Sequence, residues 1–441
     1  MSQSADVLDV RKICSCLEEN NINILDFRRY KKALSIFAQD GLVAWKPRKS
    51  SEASLETRFQ VIDFFSGCGG MSLGFAALSL VFPFFELIGG CDISKDPCCT
   101  YNRNFDVPCY QTDVRSLVEE NALKHFMTRF DRYKRNKPLI VIGCPPCQGF
   151  TSHRKKNWDK IDHRNELVVT FARVAEKLQP ECIVMENVPE MLSHKYWLYY
   201  QEFKSILEDA GYAVHQSIYN AASFGVPQER FRVIVIAMRH EFLLPELMIP
   251  AEEYVTVRQA IGNLPKLRAG EKSPTDPLHH SVNHKPETLK TILAVPKNGG
   301  NRPFGVGPKC LDRTKGFSDV YGRLFWDRPS ITITQYSRNP ASGRYVHPEQ
   351  DRGLTMREAA TLQSFPLGFA FCGSRDSIFR QIGEAVPPKM ACAIASNVVV
   401  EMCSPSPTEQ EKNSSMVSIS QPISNSYSSV ISKLKQARLR R

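Results

Sequence analysis

Cys147 lies in the run Gly143-Cys144-Pro145-Pro146-Cys147-Gln148-Gly149-Phe150-Thr151, and Glu186 in the later run Glu186-Asn187-Val188. A thiol and a carboxylic acid are together the minimum for covalent attack assisted by proton transfer. Each run follows an apolar stretch, Pro138-Leu139-Ile140-Val141-Ile142 and Cys182-Ile183-Val184-Met185. Such stretches read as buried parallel strands. Both groups would then emerge at the carboxyl edge of a sheet, where open α/β folds bind ligands.

The surroundings of Cys147 favour a reactive thiol over an inert core cysteine. The loop Gln148-Gly149-Phe150-Thr151-Ser152 is polar, and His153-Arg154-Lys155-Lys156 follow directly. Nearby cations stabilise the thiolate, and the same cations could meet a phosphate backbone. Cys144-x-x-Cys147 has two other readings. A zinc pair needs partner ligands at matching spacing, and no second C-x-x-C occurs. A redox dithiol of thioredoxin type would lead into a helix, which two intervening prolines do not suggest.

Asp63-Phe64-Phe65-Ser66-Gly67-Cys68-Gly69-Gly70-Met71-Ser72 follows another apolar strand and opens a helix. Glycines there admit a ligand to the backbone, and a helix N-terminus favours an anion. The full Gly-x-Gly-x-x-Gly fingerprint is missing, which disfavours a nicotinamide cofactor. Asp92 ends the next strand, where an acid can grip ribose hydroxyls. Asp113 follows Cys109-Tyr110-Gln111-Thr112 and could accept from an adenine amino group. A glycine turn and two acids at successive strand ends describe a nucleoside pocket. Gln228-Glu229-Arg230-Phe231-Arg232 precedes a further strand, and by itself reads equally as an ordinary edge with exposed arginines.

The elements that must position these groups alternate. Strands are predicted at 59–65, 86–91, 138–143, 181–186, 213–219 and 231–238, with helices near 71–80, 95–104, 115–127, 164–178 and 197–210. This rhythm predicts an α/β fold with a doubly wound, mostly parallel sheet. It lapses over 239–320, which reads as a smaller irregular lobe. Thr355 and Glu358 form a capping box at the head of a later helix, and Pro387-Pro388 opens an apolar helix over 387–402. Residues 1–57 carry helical periodicity and read as an appendage, with Pro47-Arg48-Lys49-Ser50-Ser51 as linker. The serine-rich segment from 404 to 441, ending in basic residues, reads as a disordered tail.

The chain has 441 residues, 42% of them hydrophobic, and 57 Lys+Arg against 46 Asp+Glu give a net charge of +11. That is compatible with a polyanionic partner and equally with a merely basic enzyme. Fourteen irregularly spaced cysteines do not form a disulfide framework. With neither a signal peptide nor a bilayer-length apolar run, an intracellular protein without a membrane partner is expected.

Taken in order, these runs resemble the DNA (cytosine-5) methyltransferases over roughly residues 58–403. Asp63 to Gly70 is similar to that family's S-adenosylmethionine-binding motif, and Pro146-Cys147-Gln148 to its nucleophile loop. Glu186-Asn187-Val188 and Gln228-x-Arg230-x-Arg232 match two more motifs. Arg357 to Pro366 resembles the late helix motif, and Gln381 to Pro388 the final one. Glu384 stands where the family usually has Asn, so it would meet the cofactor's ammonium or weaken binding. Thr361 replaces a common Arg, a change expected to affect local packing only.

The resemblance implies the class I S-adenosylmethionine-dependent methyltransferase fold with a target-recognition lobe. Its divisions would be 1–57, a catalytic domain over 58–238, the lobe over 239–330, a return to the catalytic domain over 331–403, and the tail. It implies that Cys147 attacks carbon 6 of a flipped cytosine, that Glu186 stabilises the intermediate, and that Arg232 holds the exocyclic oxygen while Arg230 orders the site. Phe65 would stack on adenine, with the turn Gly67, Cys68, Gly69 and Gly70 around the cofactor. Asp92 would take the ribose with Ile93 beside it, and Asp113 with Val114 the adenine amino group. Pro146, Leu167, Glu384 and Val386 would complete that pocket. Gln148, Thr151, Ser152, Arg154, Lys155, Lys156 and Gln228 would face nucleic acid.

The implied partner is double-stranded DNA, with a monomeric enzyme and a cognate restriction endonuclease as a further partner. The compartment would be the cytoplasm and nucleoid in a bacterium, the nucleus in a eukaryote. Two rivals remain: a tRNA-directed cytosine methyltransferase of the same fold, and a non-catalytic DNA-binding regulator. Gly149 after Pro-Cys-Gln and the absence of a Cys-Phe-Thr motif weigh against the first. Retention of Cys147 and Glu186 weighs against the second.

Overall fold

A computed structural model describes residues 24–47, 59–146, 149–150, 163–312, 319–425 and 430–432 of the protein. Seven strands form one sheet: β1 (Phe59–Phe64), β2 (Phe85–Asp92), β3 (Cys109–Gln111), β4 (Leu139–Gly143), β5 (Cys182–Asn187), β6 (Ala213–Asn220) and β7 (Phe231–Met238). Their order is β3-β2-β1-β4-β5-β7-β6. All pairs are parallel except β5–β7 and β6–β7. Strands β1, β4 and β5 are buried at every position, because each lies between two neighbours with helices on both faces.

The helices are α1 (Lys31–Val43), α2 (Gly70–Val81), α3 (Lys95–Asn104), α4 (Glu120–Met127), α5 (Glu166–Leu178), α6 (Trp197–Asp209), α7 (Val257–Ile261), α8 (Pro286–Leu293), α9 (Met356–Leu362), α10 (Arg375–Glu384), α11 (Pro388–Cys403) and α12 (Glu409–Ser414). On one face α2, α11 and α1 stack with core residues such as Phe75, Leu78 and Ile394; on the other, α4, α5 and α6 cover the sheet with Phe126, Phe171 and Phe203. Gly74 sets the approach of α2 to α11, since a Cβ there would lie 2.4 Å from the Ala391 carbonyl carbon. Helix α1 belongs to this core: Leu34, Ala38 and Leu42 are buried in it, and Lys31 and Arg28 both pair with the buried Glu401 of α11.

The lobe after β7 holds little regular structure, as its sequence predicts. A small core of Ile292, Val295, Val320, Tyr321 and Val346 is supplemented by buried arginines. Arg323 donates to the carbonyls of Ile292, Val295, His347 and Gln350 at 2.9–3.1 Å. Irregular backbone leaves carbonyls without ladder partners, and a five-donor guanidinium satisfies several at once.

The tail departs from its expected disorder wherever it is described. Thr408 and Glu411 make a capping box on α12. Ile419 N donates to Gln216 O at 3.1 Å, and Ile423 N to Leu192 O at 2.9 Å. β6 is an edge strand, and an edge offers unpaired backbone groups that a crossing segment can satisfy. Serine-rich composition hid this, because Ile419, Ile423 and Val430 suffice to seat the segment on the α4–α6 face. Lys433 to Arg441 lie outside the described residues. Among the described residues no helix is long and apolar enough to cross a membrane.

Candidate active site

The glycine turn leaves β1 beneath an open space. Phe65 and Gly67 take left-handed backbone angles, φ 55° and 53°, and a Cβ on Gly67 would meet nothing within 4 Å. Gly67 N donates to Asp92 Oδ2 at 3.0 Å and Ser94 N to Oδ1 at 2.8 Å. Burial pushes the Asp92 carboxyl above the usual range, while these two donors draw it back down. Gly70 is closed by the final motif, since its Cβ would stand 2.4 Å from Val386 O. The buried Cys68 side chain points away, its thiol 3.7 Å from Gln381 O, so only its backbone faces the turn's exterior.

Asp113 is engaged with its neighbour, Arg115 Nη2 lying 2.6 Å from Oδ2, and this pairing lowers its carboxyl. Ile93 is exposed, Phe65 and Pro146 are half-buried, and Val114, Leu167 and Val386 are buried. Glu384 is exposed at the end of α10, close enough for its charge to bear on Cys68. A cavity of about 530 Å³ lies beside this turn rather than in it, around α3, lined by Cys98, Cys99, Cys109 and Cys372 among others. It is not the nucleoside pocket the strand ends describe.

The proline loop is fixed from β5. Asn187 Nδ2 donates to Pro145 O at 3.1 Å while Asn187 Oδ1 accepts from Val188 N at 2.8 Å. This side chain bridges the loop and the turn after Glu186, a role that reading the motif did not assign. Where the loop re-enters, the buried Phe150 ring stands edge-on to Tyr196 at 5.0 Å. Cys147, Gln148, Thr151, Ser152, Arg154, Lys155 and Lys156 lie outside the described residues.

Glu186 faces Arg232, with Nε 2.9 Å from Oε1 and both side chains nearly buried. The N–H does not point along that line, so Oε1 is buried without an aligned donor. Glu190 is a second carboxyl within reach of Arg232's charge, raised by burial and lowered by that arginine. The pairing arises because β7 runs antiparallel beside β5, with Glu186 opposite Ile234 and Asn187 opposite Val233. No local pattern in the sequence announces it.

Arg230 and Gln228 do not join this pair. The buried Arg230 guanidinium donates to the carbonyls of Ile333, Gly383 and Ala385 at 3.0–3.1 Å. It clamps the segment around Ile333 to the final motif, and so acts as a positioning residue. The expectation that Gln228 faces nucleic acid is overturned. It is fully buried, with Nε2 donating to Gln363 Oε1 at 2.6 Å and Oε1 accepting from Ile333 N at 2.8 Å. With its donors and its oxygen engaged in a fully buried scaffold, the amide is not presented to a base.

The doubly wound sheet, its reversed β7 and the glycine turn together define a class I methyltransferase fold. The C-5 cytosine-specific DNA methylase family model matches residues 59–399, and the chain belongs to that family. It is 39% identical over 343 residues to the type II methyltransferase M1.HphI of Haemophilus parahaemolyticus, covering 77% of this chain and 86% of that protein. It is 31% identical to the type II methylase M.HgiDII of Herpetosiphon aurantiacus, covering 77% and 94%. Among solved structures, the Entamoeba histolytica methyltransferase EhMeth superposes with a TM-score of 0.53 at 18% identity, over 77% of this chain and 97% of that one; this likeness concerns the fold.

Proposed function

We propose that this DNA cytosine methyltransferase works through Cys147, Glu186 and Arg232 on a cytosine flipped from duplex DNA, with S-adenosylmethionine as methyl donor. The observation that carries this reading is the bridge from Asn187 to Pro145, which holds the nucleophile's loop against the turn bearing Glu186. The residues around the glycine turn fit the donor: Gly67 opens onto space a side chain would fill, and Asp92 and Asp113 stand at the next two strand ends. Bound there, S-adenosylmethionine supplies an electrophilic methyl group.

Carbon 5 of cytosine is a weak nucleophile, and the protein's groups raise its electron density. The Cys147 sulfur bonds to carbon 6, and charge moves into the ring toward nitrogen 3 and the exocyclic oxygen. Glu186 holds a proton at nitrogen 3, and Arg232 takes the oxygen. Glu186 Oε1 has no aligned donor within the protein, so it can turn to the base. After carbon 5 is alkylated, its proton leaves and the bond to Cys147 breaks. A base inside a duplex is out of reach, so extrusion is required, at a cost of about a few kcal/mol in stacking.

Residues 239–330 serve as the target-recognition lobe in this reading, and residues 331–403 return to the catalytic domain. The type II names of both relatives support a restriction-modification setting with a cognate endonuclease. Labelled methyl transfer to duplex DNA, with tRNA as competitor substrate, tests the proposal. Cys147→Ser should abolish transfer, and a duplex carrying 5-fluorocytosine should become covalently trapped on the wild-type chain. Transfer retained by the serine variant would reject the mechanism.

A further inference from the structure

Three separate segments bring cations together at the seam between lobe and catalytic domain. Arg375 begins α10, Arg338 lies in the segment crossing back from the lobe, and Lys272 lies in the lobe itself. Arg375 Nη2 reaches Arg338 O at a long 3.4 Å, and its Nε is buried without a partner. Its guanidinium sits 5.1 Å from the Phe379 ring, and among the described residues its Nη1 makes no hydrogen bond. Arg338 pairs with Asp376 at 3.1 Å, the carboxylate 63% exposed. Among the described residues neither Arg375 nor Lys272 has an ion pair. Lys272 bridges in the backbone to His280, and His284 Nε2 is occupied as acceptor from Gly353 N at 3.0 Å.

The free protein holds these charges at a cost. Burial depresses Arg375, Asp376 opposes that, and the neighbouring Arg338 adds to the depression. Burial, Lys272 and Arg375 likewise depress His280. A planar fork with spare donors, crowded by like charge and answered by a single carboxylate already shared, matches a phosphodiester. The crowding is relieved when an anion arrives.

The position suits a nucleic-acid strand leading to the site. A Cβ on Gly383 would lie 2.3 Å from Thr334 and Gln335 backbone atoms, so α10 is pressed against the crossing segment. Arg230 ties that segment to the end of α10. The 10-residue helix spans roughly 15 Å at 1.5 Å per residue, with Glu384 at its far end beside the cofactor turn. That is about four nucleotide steps at 3.4 Å along one strand. Tyr336, 54% exposed, stands on the same segment.

We propose that Arg375, supported by Arg338 and Lys272, seats a backbone phosphate of the substrate duplex a few nucleotides from the target cytosine. This rests on the DNA-methylating reading of the active site. A phosphate seat fixes register without reading sequence. Binding of the full-length protein to a mixed-sequence duplex, followed by fluorescence anisotropy across a salt series, tests it.

Arg375→Gln should weaken binding about tenfold at low salt, as loss of one charge-assisted contact would. It should also make the slope of log K against log salt shallower by about 1. Arg375→Lys should keep the slope while losing part of the affinity, since it keeps the charge and loses the fork. Cofactor affinity by calorimetry should not change in either variant. An unchanged slope in Arg375→Gln, with wild-type protein binding normally, overturns the seat and leaves the methyltransferase reading intact. A loss of cofactor affinity or of folding in Arg375→Lys also overturns it, by showing a structural role. Wild-type protein that ignores duplex DNA sinks both.

Discussion

Glu186 and Arg232 lie 2.9 Å apart without a shared hydrogen-bond line, and substitution of the acid tests its part in the pair. Glu186→Gln keeps the volume and removes the proton function, so single-turnover methyl transfer should slow by about 10²–10⁴-fold. Cofactor affinity should stay level, because β4 lies between the strand that carries the group and the glycine turn. Equal losses in rate and cofactor affinity would place Glu186 in the scaffold instead. Asn187→Ala removes the donor to Pro145 O and should slow the same step by less, with no loss of cofactor binding.

Asp63 allows a test by pH. Burial raises its carboxyl to about 7, although Ser72 Oγ donates to it at 2.6 Å. An acid whose folded value lies above its unfolded value of about 3.9 binds more protons when folded. Its contribution therefore favours folding below about pH 4, declines as pH rises toward 7, and is constant above that. The stability difference between wild type and Asp63→Asn, from urea denaturation, should shift across that window by on the order of 2–4 kcal/mol. A pH-independent difference would refute the assignment.

At the scale of elements, the crossing of α2 and α11 and the head of α9 set the site's frame. Gly74→Val would push a side chain into Ala391 and should cost at least about 1–3 kcal/mol, read as a lower denaturation midpoint. Glu358 is both the capping acid of α9 and the bidentate partner of the buried Arg352, at 2.7 and 2.8 Å. Arg352 is a leading cause of its depression to about 2, which burial opposes. Stability from this group is full above about pH 4.5 and is lost as pH falls toward 2. Glu358→Gln should cost about 3–5 kcal/mol at neutral pH, because Arg352 is left buried and uncompensated. The capping box was legible in Thr355 and Glu358, since it needs only a local spacing. The Arg352 contact was not, because nothing in that spacing indicates which buried charge meets the cap.

Over the whole molecule, the tail and α1 extend the core beyond the family match. The tail lies along the β6 edge through Ile419 and over the 189–194 turn through Ile423. Ending the chain at Cys403 would bare that edge. Such a truncation should aggregate on warming more readily than the full chain, measured by light scattering, if the segment guards an edge as such strands require. Unchanged aggregation would mean that the tail merely rests there.

The sequence by itself determined the strands, the helices between them, and which strand ends carry Asp92, Asp113 and Glu186. Apolar runs and glycine turns are short-range signals, each set by the neighbours a residue has in the chain. The resemblance implied that Glu186 and Arg232 share a site, and tertiary structure alone gives the reason and keeps Gln228 out of it. Arg232 reaches Glu186 because β7 reverses beside β5, whereas Gln228 and Arg230, on the same short run, are consumed by carbonyls and amides of distant segments. A buried polar group must find its partners wherever packing brings them, and packing is a property of the folded chain rather than of any stretch of it.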